Sequence, residues 1–160
     1  MNSIKVNVTE QQLTLLDEEG KVLRQYPVST SKYGTGCEHG SEKTPLGLHR
    51  IQDKIGGAMP VNEVFFGRVP QGSLEECRDR GVELPDDVIM SRILWLEGME
   101  PGRNRGGYVD TLQRYIYIHG TNHEDSIGTP ASIGCIRMRN ADVVDLYRLV
   151  DIGSEVLIEE

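Results

Sequence analysis

Arg114-Tyr115-Ile116-Tyr117-Ile118 is the most strand-like run of the chain, and it leads directly into His119-Gly120-Thr121-Asn122. Aromatic and β-branched side chains fill it, the types that pack best on a pleated, half-buried surface. Together with the similar run from Val88 to Leu96, it predicts two strands near the middle of a sheet. Working outward to the amino terminus, Ile4, Val6 and Val8 repeat at period two, and Leu13, Leu15 and Leu16 follow. A third extended run, Val22 to Val28, comes after the turn Asp17-Glu18-Glu19-Gly20. This spacing predicts an antiparallel, hairpin-rich opening. Leu48 to Ile51 and Val64 to Phe66 read as short strands on either side of Gly56-Gly57. Helices are few. Ser73 with Glu76 forms a capping box, so Leu74 to Arg80 is a short helix closed by Gly81, with Cys77 on its apolar side. Behind Asn140, a good cap, Val143, Leu146, Tyr147 and Val150 recur at i, i+3, i+4 and i+7. Gly153 ends that helix and Val156 to Ile158 returns as a last strand. The expected fold is mostly β, of the α+β class, with one or two helices at its edge.

The 160 residues suffice for one domain, taken as residues 1–160, and not for two comfortable ones. Against 17 Lys and Arg stand 25 Asp and Glu, a net charge of −8, which repels phosphate backbones and anionic lipid. Nucleic acid is therefore excluded as a partner. No run of 18 apolar residues occurs, so no membrane span is expected. The amino terminus alternates apolar and polar residues instead of building a leader, which points to the cytoplasm, or to the periplasm if a leader has been removed. Three cysteines without a close pair fit a reducing compartment better than a disulfide framework. Residues Ser29 to Gly47, dense in Ser, Thr, Gly and Lys, read as an exposed loop of the kind that holds substrate.

The chemistry concentrates in two places: His119 at the end of its strand, and Cys135 in the small turn Ala131-Ser132-Ile133-Gly134-Cys135-Ile136-Arg137. A thiol attacks poorly at neutral pH until an imidazole or a positive field favours its thiolate, so a Cys and a His brought together are the minimum for acyl transfer. The imidazole needs an acceptor for its second nitrogen, for which the Gly120 carbonyl is the candidate. Gly134 permits a tight backbone whose N–H groups meet a tetrahedral oxyanion, and Ser132 can fix that turn. Arg137 either pairs with Asp142 or a terminal Glu, or grips a substrate carboxylate with its planar fork. On spacing alone the plainer reading stands beside this one: Cys as a small buried hydrophobe, His as a hydrogen-bonded structural residue. Cys37 and His39, with Cys135, His119 and His123, lack the spacing of zinc ligands. No metal or cofactor is required. Cys37 reads as an incidental thiol, and His49 as structural.

The order His119-Gly120-Thr121, then Ser132-x-Gly134-Cys135-Ile136-Arg137-Met138 after 15 intervening residues between His119 and Cys135, resembles the signature of the L,D-transpeptidase (YkuD) family. Thr44-Pro45-Leu46-Gly47 is similar to that family's Thr-Pro-x-Gly segment, and the helix and closing strand after Asn140 are similar to its usual ending. The resemblance covers residues 3 to 158. It implies a mixed β-sheet, sandwich-like or partly closed into a barrel. It also implies Cys135 as nucleophile, His119 as base, Gly120 as the imidazole's orienter, and an oxyanion hole of N–H groups around Gly134 and Cys135. Ser132, Arg137 and Thr121 are carried over as further site residues. Ile133 departs from the pattern, many members having His there. The implied partner is a peptidoglycan stem tetrapeptide or muropeptide, attacked at the diaminopimelate carbonyl that precedes D-Ala, with a covalent carbapenem adduct also implied. Water as acceptor makes an L,D-carboxypeptidase of muropeptide recycling. An amine makes 3-3 cross-links, and loss of turnover leaves a binding module. The missing leader favours water.

Overall fold

The computed structural model describes residues 1–160. The chain opens with β1 (Ser3–Asn7), β2 (Gln12–Leu16) and β3 (Val22–Ser29), and continues through β4 (Gly47–Ile55), β5 (Val64–Phe66) and β6 (Val69–Pro70). The helix α1 (Leu74–Asp79) precedes β7 (Ile89–Gly98) and β8 (Tyr117–Thr121), and β9 (Ile136–Met138), α2 (Asn140–Leu149) and β10 (Glu155–Glu159) complete the chain. One ten-stranded sheet runs in the order β4-β10-β1-β2-β3-β9-β8-β7-β5-β6. β4 also pairs with β7, so the sheet closes on itself and β5 and β6 form a flap outside the ring. The β1–β10 and β8–β9 pairs are parallel and the rest antiparallel, which makes the sheet mixed. Closure removes the exposed edges of those strands.

Alternation decides which side chains enter the ring. Ile4 and Val6 of β1, Leu13 and Leu15 of β2 and Leu94 and Leu96 of β7 are buried in one core with Ile118, Ile136 and Met138. Val143 and Leu146 of α2 join the same core, the helical repeat matching the apolar interior. Cys77 packs in a smaller cluster with Leu74, Val64 and Met90 beneath α1. Its helix carries the reciprocal Ser73 and Glu76 cap.

Three local expectations differ from the structure. The strand expected from Arg114 to Ile118 instead spans Tyr117–Thr121, so His119 lies within it and not at its end. Residues before it form a turn in which the Asp110 carboxylate accepts from the Gly106 and Gln113 N–H groups, and Tyr115 takes φ +55°. Side-chain capping of the backbone outcompetes the strand preference of Tyr115 and Ile116 there. Asn140 is the first helical residue and not the cap. Its amide instead accepts from the Thr121 N–H at 2.9 Å and donates to the Thr121 carbonyl at 3.0 Å, tying α2 to β8. Finally, the Ser29 to Gly47 segment is exposed only in its middle. Ser29, Thr30, Ser31 and Thr44 are buried, because their hydroxyls and backbone are hydrogen-bonded to neighbouring segments.

Candidate active site

β8 and β9 run side by side in parallel, with His119 opposite Arg137, and Cys135 sits just ahead of β9. The three side chains therefore arrive at one cleft of about 700 Å³, which Asp87, Ile133 and Lys32 also line. His119 is buried, and its Nδ1 is hydrogen-bonded to the Gly120 carbonyl. A carbonyl only accepts, so Nδ1 carries the proton and Nε2 is left with its lone pair. Burial lowers the His119 pKa, opposed by the nearby Asp87 charge, so the ring is neutral at ordinary pH.

The Cys135 sulfur accepts a hydrogen bond from the Tyr117 N–H at 3.3 Å and donates its own proton to the Tyr115 carbonyl at 3.5 Å. No hydrogen bond joins it to His119. Burial pushes the thiol up to about 11, although the Tyr117 N–H and the guanidinium groups of Arg137 and Arg114 act in the other direction. The Cys135 side chain is thus a neutral thiol and the His119 ring a neutral imidazole, both on the same cleft.

The turn that presents Cys135 is held at several points. Ser132 donates from Oγ to the Cys135 carbonyl at 2.6 Å and accepts from the Gly134 N–H at 3.2 Å. Thr44 of the Ser29 to Gly47 segment donates to the Gly134 carbonyl at 3.0 Å. Gly134 takes φ +133°, which a side chain rarely adopts, and an added Cβ would meet Ile116 at 3.3 Å. Since the Gly134 N–H is consumed by Ser132, the Cys135 N–H, which has no hydrogen-bond partner, is the donor left for an oxyanion. Gly120 is constrained for a second reason. A Cβ there would collide with Asn140 Oδ1 and lie 2.6 Å from the Met90 carbonyl.

Of the residues carried over from the motif, Thr121 lies away from the cleft and Arg137 lies on it. Thr121 is buried outside the cleft, where its Oγ1 accepts from the His123 N–H and its backbone is bonded to Asn140. Arg137 pairs with neither Asp142 nor a terminal Glu. Its Nη2 meets Asp87 at 2.8 Å, because the sheet carries it to the cleft wall beside the segment entering β7. No local pattern in the sequence marks Asp87, while Thr44 stands out there only as part of Thr44-Pro45-Leu46-Gly47 and Asn140 only as a helix cap; the contacts each makes at the site are to partners distant in the chain. Elsewhere, Cys37 lies 3.8 Å from the Leu46 carbonyl, and His49 is buried between the Gly47 carbonyl and the Thr111 hydroxyl. No helix is long and apolar enough to cross a membrane.

A family model described as YkuD, L,D-transpeptidase catalytic domain, matches residues 1–158. YqjB of Bacillus subtilis (strain 168) is 51% identical over 47 residues, covering 29% of this chain and 27% of the relative. YkuD of the same organism is 48% identical over 59 residues, 36% of each chain. The matched segments thus span about a third of these relatives. Among solved structures, L,D-transpeptidase 3 from Mycobacterium tuberculosis with a faropenem-derived adduct superposes with a TM-score of 0.60 at 16% identity, over 99% of this chain and 60% of that one. The L,D-transpeptidase LdtMt1 in complex with imipenem gives 0.58 at 17% identity, over 98% and 58%. At these identities the likeness concerns the fold. With the family model spanning nearly every residue, this chain belongs to the L,D-transpeptidase (YkuD) catalytic-domain family.

Proposed function

We propose that the protein is a cysteine acyltransferase acting on peptidoglycan stem tetrapeptides, at the bond between the L-centre of diaminopimelate and terminal D-Ala. Cys135 is the nucleophile, His119 its base and Gly120 the acceptor that orients the imidazole. The observation that carries this reading is the meeting of Cys135 and His119 on one open cleft, with Nδ1 already engaged by Gly120 and Nε2 free. Substrate in the cleft draws the Cys135 S–H away from the Tyr115 carbonyl toward Nε2. The proton passes to Nε2 as sulfur bonds to the carbonyl carbon, and the oxyanion is met by the Cys135 N–H. Collapse breaks the C–N bond, the Nε2 proton goes to the departing amine, and D-Ala leaves a thioester. Ser132 and Gly134 keep the turn in shape throughout, and Arg137 supplies positive charge on the cleft wall.

Water, giving up a proton to Nε2, then releases the tripeptide and restores the thiol. This is an L,D-carboxypeptidase reaction, and the opening of the cleft to solvent supports it. A second reading, in which the amine of another stem peptide takes the acyl group, is favoured by two further carboxylates on the cleft, Asp86 and Asp125, which suit an ammonium group. Incubation with a disaccharide tetrapeptide, with and without an amine acceptor, followed by mass spectrometry, tests the pair. Release of D-Ala and tripeptide without acceptor supports hydrolysis; accumulation of an acceptor-linked product alone supports transpeptidation. Absence of any adduct with imipenem, as well as of turnover, would leave only a binding module.

A further inference from the structure

Asp87 stands on the cleft without a part in the chemistry above. It comes from the short segment leading into β7, and its Oδ2 is paired with Arg137 Nη2 at 2.8 Å. Its Oδ1 is buried without a hydrogen-bond partner, as is Arg137 Nε. Arg137 is only 4% exposed. An ion pair with a buried guanidinium, a half-buried carboxylate and an unspent buried polar atom on each partner is a poor way to stabilise a fold, since apolar residues of similar volume commonly do as well or better. Its placement suggests another use. Arg137 is the register partner of His119 across parallel strands, so the guanidinium holds the carboxylate on the wall that the imidazole shares.

We propose that Asp87 is a positioning residue of the acylation step, whose negative charge, clamped by Arg137, stabilises the His119 imidazolium that forms when the Cys135 proton moves to Nε2. The proposal rests on the acyl-transfer reading. The Gly120 carbonyl fixes how the ring points but carries no net charge. A carboxylate adds the charge that an imidazolium in a buried site otherwise lacks. At His119, burial disfavours the cation, Asp87 favours it and Arg137 opposes it more weakly. At Cys135 the same carboxylate disfavours the thiolate, while Arg137 and Arg114 favour it. Lys32, Asp86, His123 and Asp125 are the other charged or titratable groups on the cleft. Tyr117, behind the sulfur, hydrogen-bonds through its hydroxyl to Arg68. The carboxylate thus readies the imidazole to hold a proton while the resting sulfur keeps its own, so the proton moves only as sulfur attacks.

The test is the pH dependence of imipenem acylation, followed by intact mass, for wild type, Asp87→Asn and Asp87→Glu. The acid limb reports loss of the His119 proton. Removing the negative charge lowers that limb to more acid pH in Asp87→Asn and slows the plateau rate by about tenfold or more. Asp87→Glu returns the limb toward the wild-type position. Should Asp87→Asn fail to fold with Arg137 left unpaired, Asp87→Asn/Arg137→Gln removes both charges. Its limb also moves to lower pH, because the carboxylate outweighs the guanidinium at His119. A limb at the wild-type pH in these variants overturns the proposal whatever the rate does, since a merely structural role would slow or destabilise the protein without moving the limb. Failure of wild type to form any adduct would instead overturn the acyl-transfer reading beneath it.

Discussion

Alkylation of Cys135 by iodoacetamide, followed by intact mass across pH, measures the ionisation on which the proposed mechanism depends. In a Cys37→Ala/Cys77→Ala background Cys135 is the remaining thiol. With burial pushing it up to about 11, about one molecule in 10⁴ carries the thiolate at pH 7. A free cysteine of pKa about 8.5 has about one in 30, so the deficit is about 300-fold. A more basic thiolate is a better nucleophile, with a Brønsted slope of about 0.4–0.5, which recovers roughly tenfold. The net expectation is alkylation about 20–30-fold slower than for a free cysteine at pH 7, rising about tenfold per pH unit toward pH 11. Acylation by imipenem escapes this penalty, because His119 takes the proton during attack. His119→Ala therefore slows acylation by about 10²–10⁴ while leaving alkylation at pH 7 within a few-fold of its slow wild-type rate. Alkylation at pH 7 as fast as that of a free cysteine, with a plateau below pH 8, would refute the reasoning: the resting state would then be a thiolate–imidazolium pair.

Three other outcomes follow from the geometry. Gly120→Ala should destabilise the fold by about 3 kcal/mol or more, because its Cβ runs into the Met90 backbone at 2.6 Å as well as the Asn140 amide; a denaturant midpoint unchanged from wild type would contradict it. Asn140→Ala strands both the N–H and the carbonyl of Thr121, with an expected loss of about 1–3 kcal/mol and a drop in Tm of several degrees in a thermal melt. His49 is buried with its pKa lowered to about 4 chiefly by burial. The folded state therefore binds its proton more weakly than the unfolded chain, and stability present above pH 6.5 is lost as pH falls toward 4, about 3 kcal/mol in all. Urea titrations at pH 7 and pH 4 should show this loss, and His49→Gln should show less of it.

Much of the architecture was legible in the chain because it follows from local periodicity. Alternation at Ile4, Val6, Leu13 and Leu15 was enough to place an antiparallel opening, and the 3.6-residue repeat of Val143, Leu146 and Tyr147 was enough for α2. His119 and Cys135 stood out because the proposed acyl transfer needs those side chains, and Gly120 because its carbonyl follows His119 directly and the motif keeps all three in order. The limits of β8 were not legible, since a side chain four residues from Gly106 captures the turn before it. Nor was the partner of Arg137. Asp87 lies 50 positions away in the chain, and only the parallel pairing of β8 with β9 brings the guanidinium to the segment entering β7.

By itself the sequence determined the strand-rich class and the principal helix, and it pointed to His119 and Cys135 as the side chains proposed for the chemistry, all properties of a residue and its near neighbours. Tertiary structure alone decided that β4 closes the ring on β7, that Ser132 takes up the Gly134 N–H, and that the Asp87 carboxylate stands on the cleft wall that His119 shares. The physical reason is that such contacts arise from strand register and from competition for hydrogen-bond partners. Both belong to pairs of groups that the chain brings together only when folded.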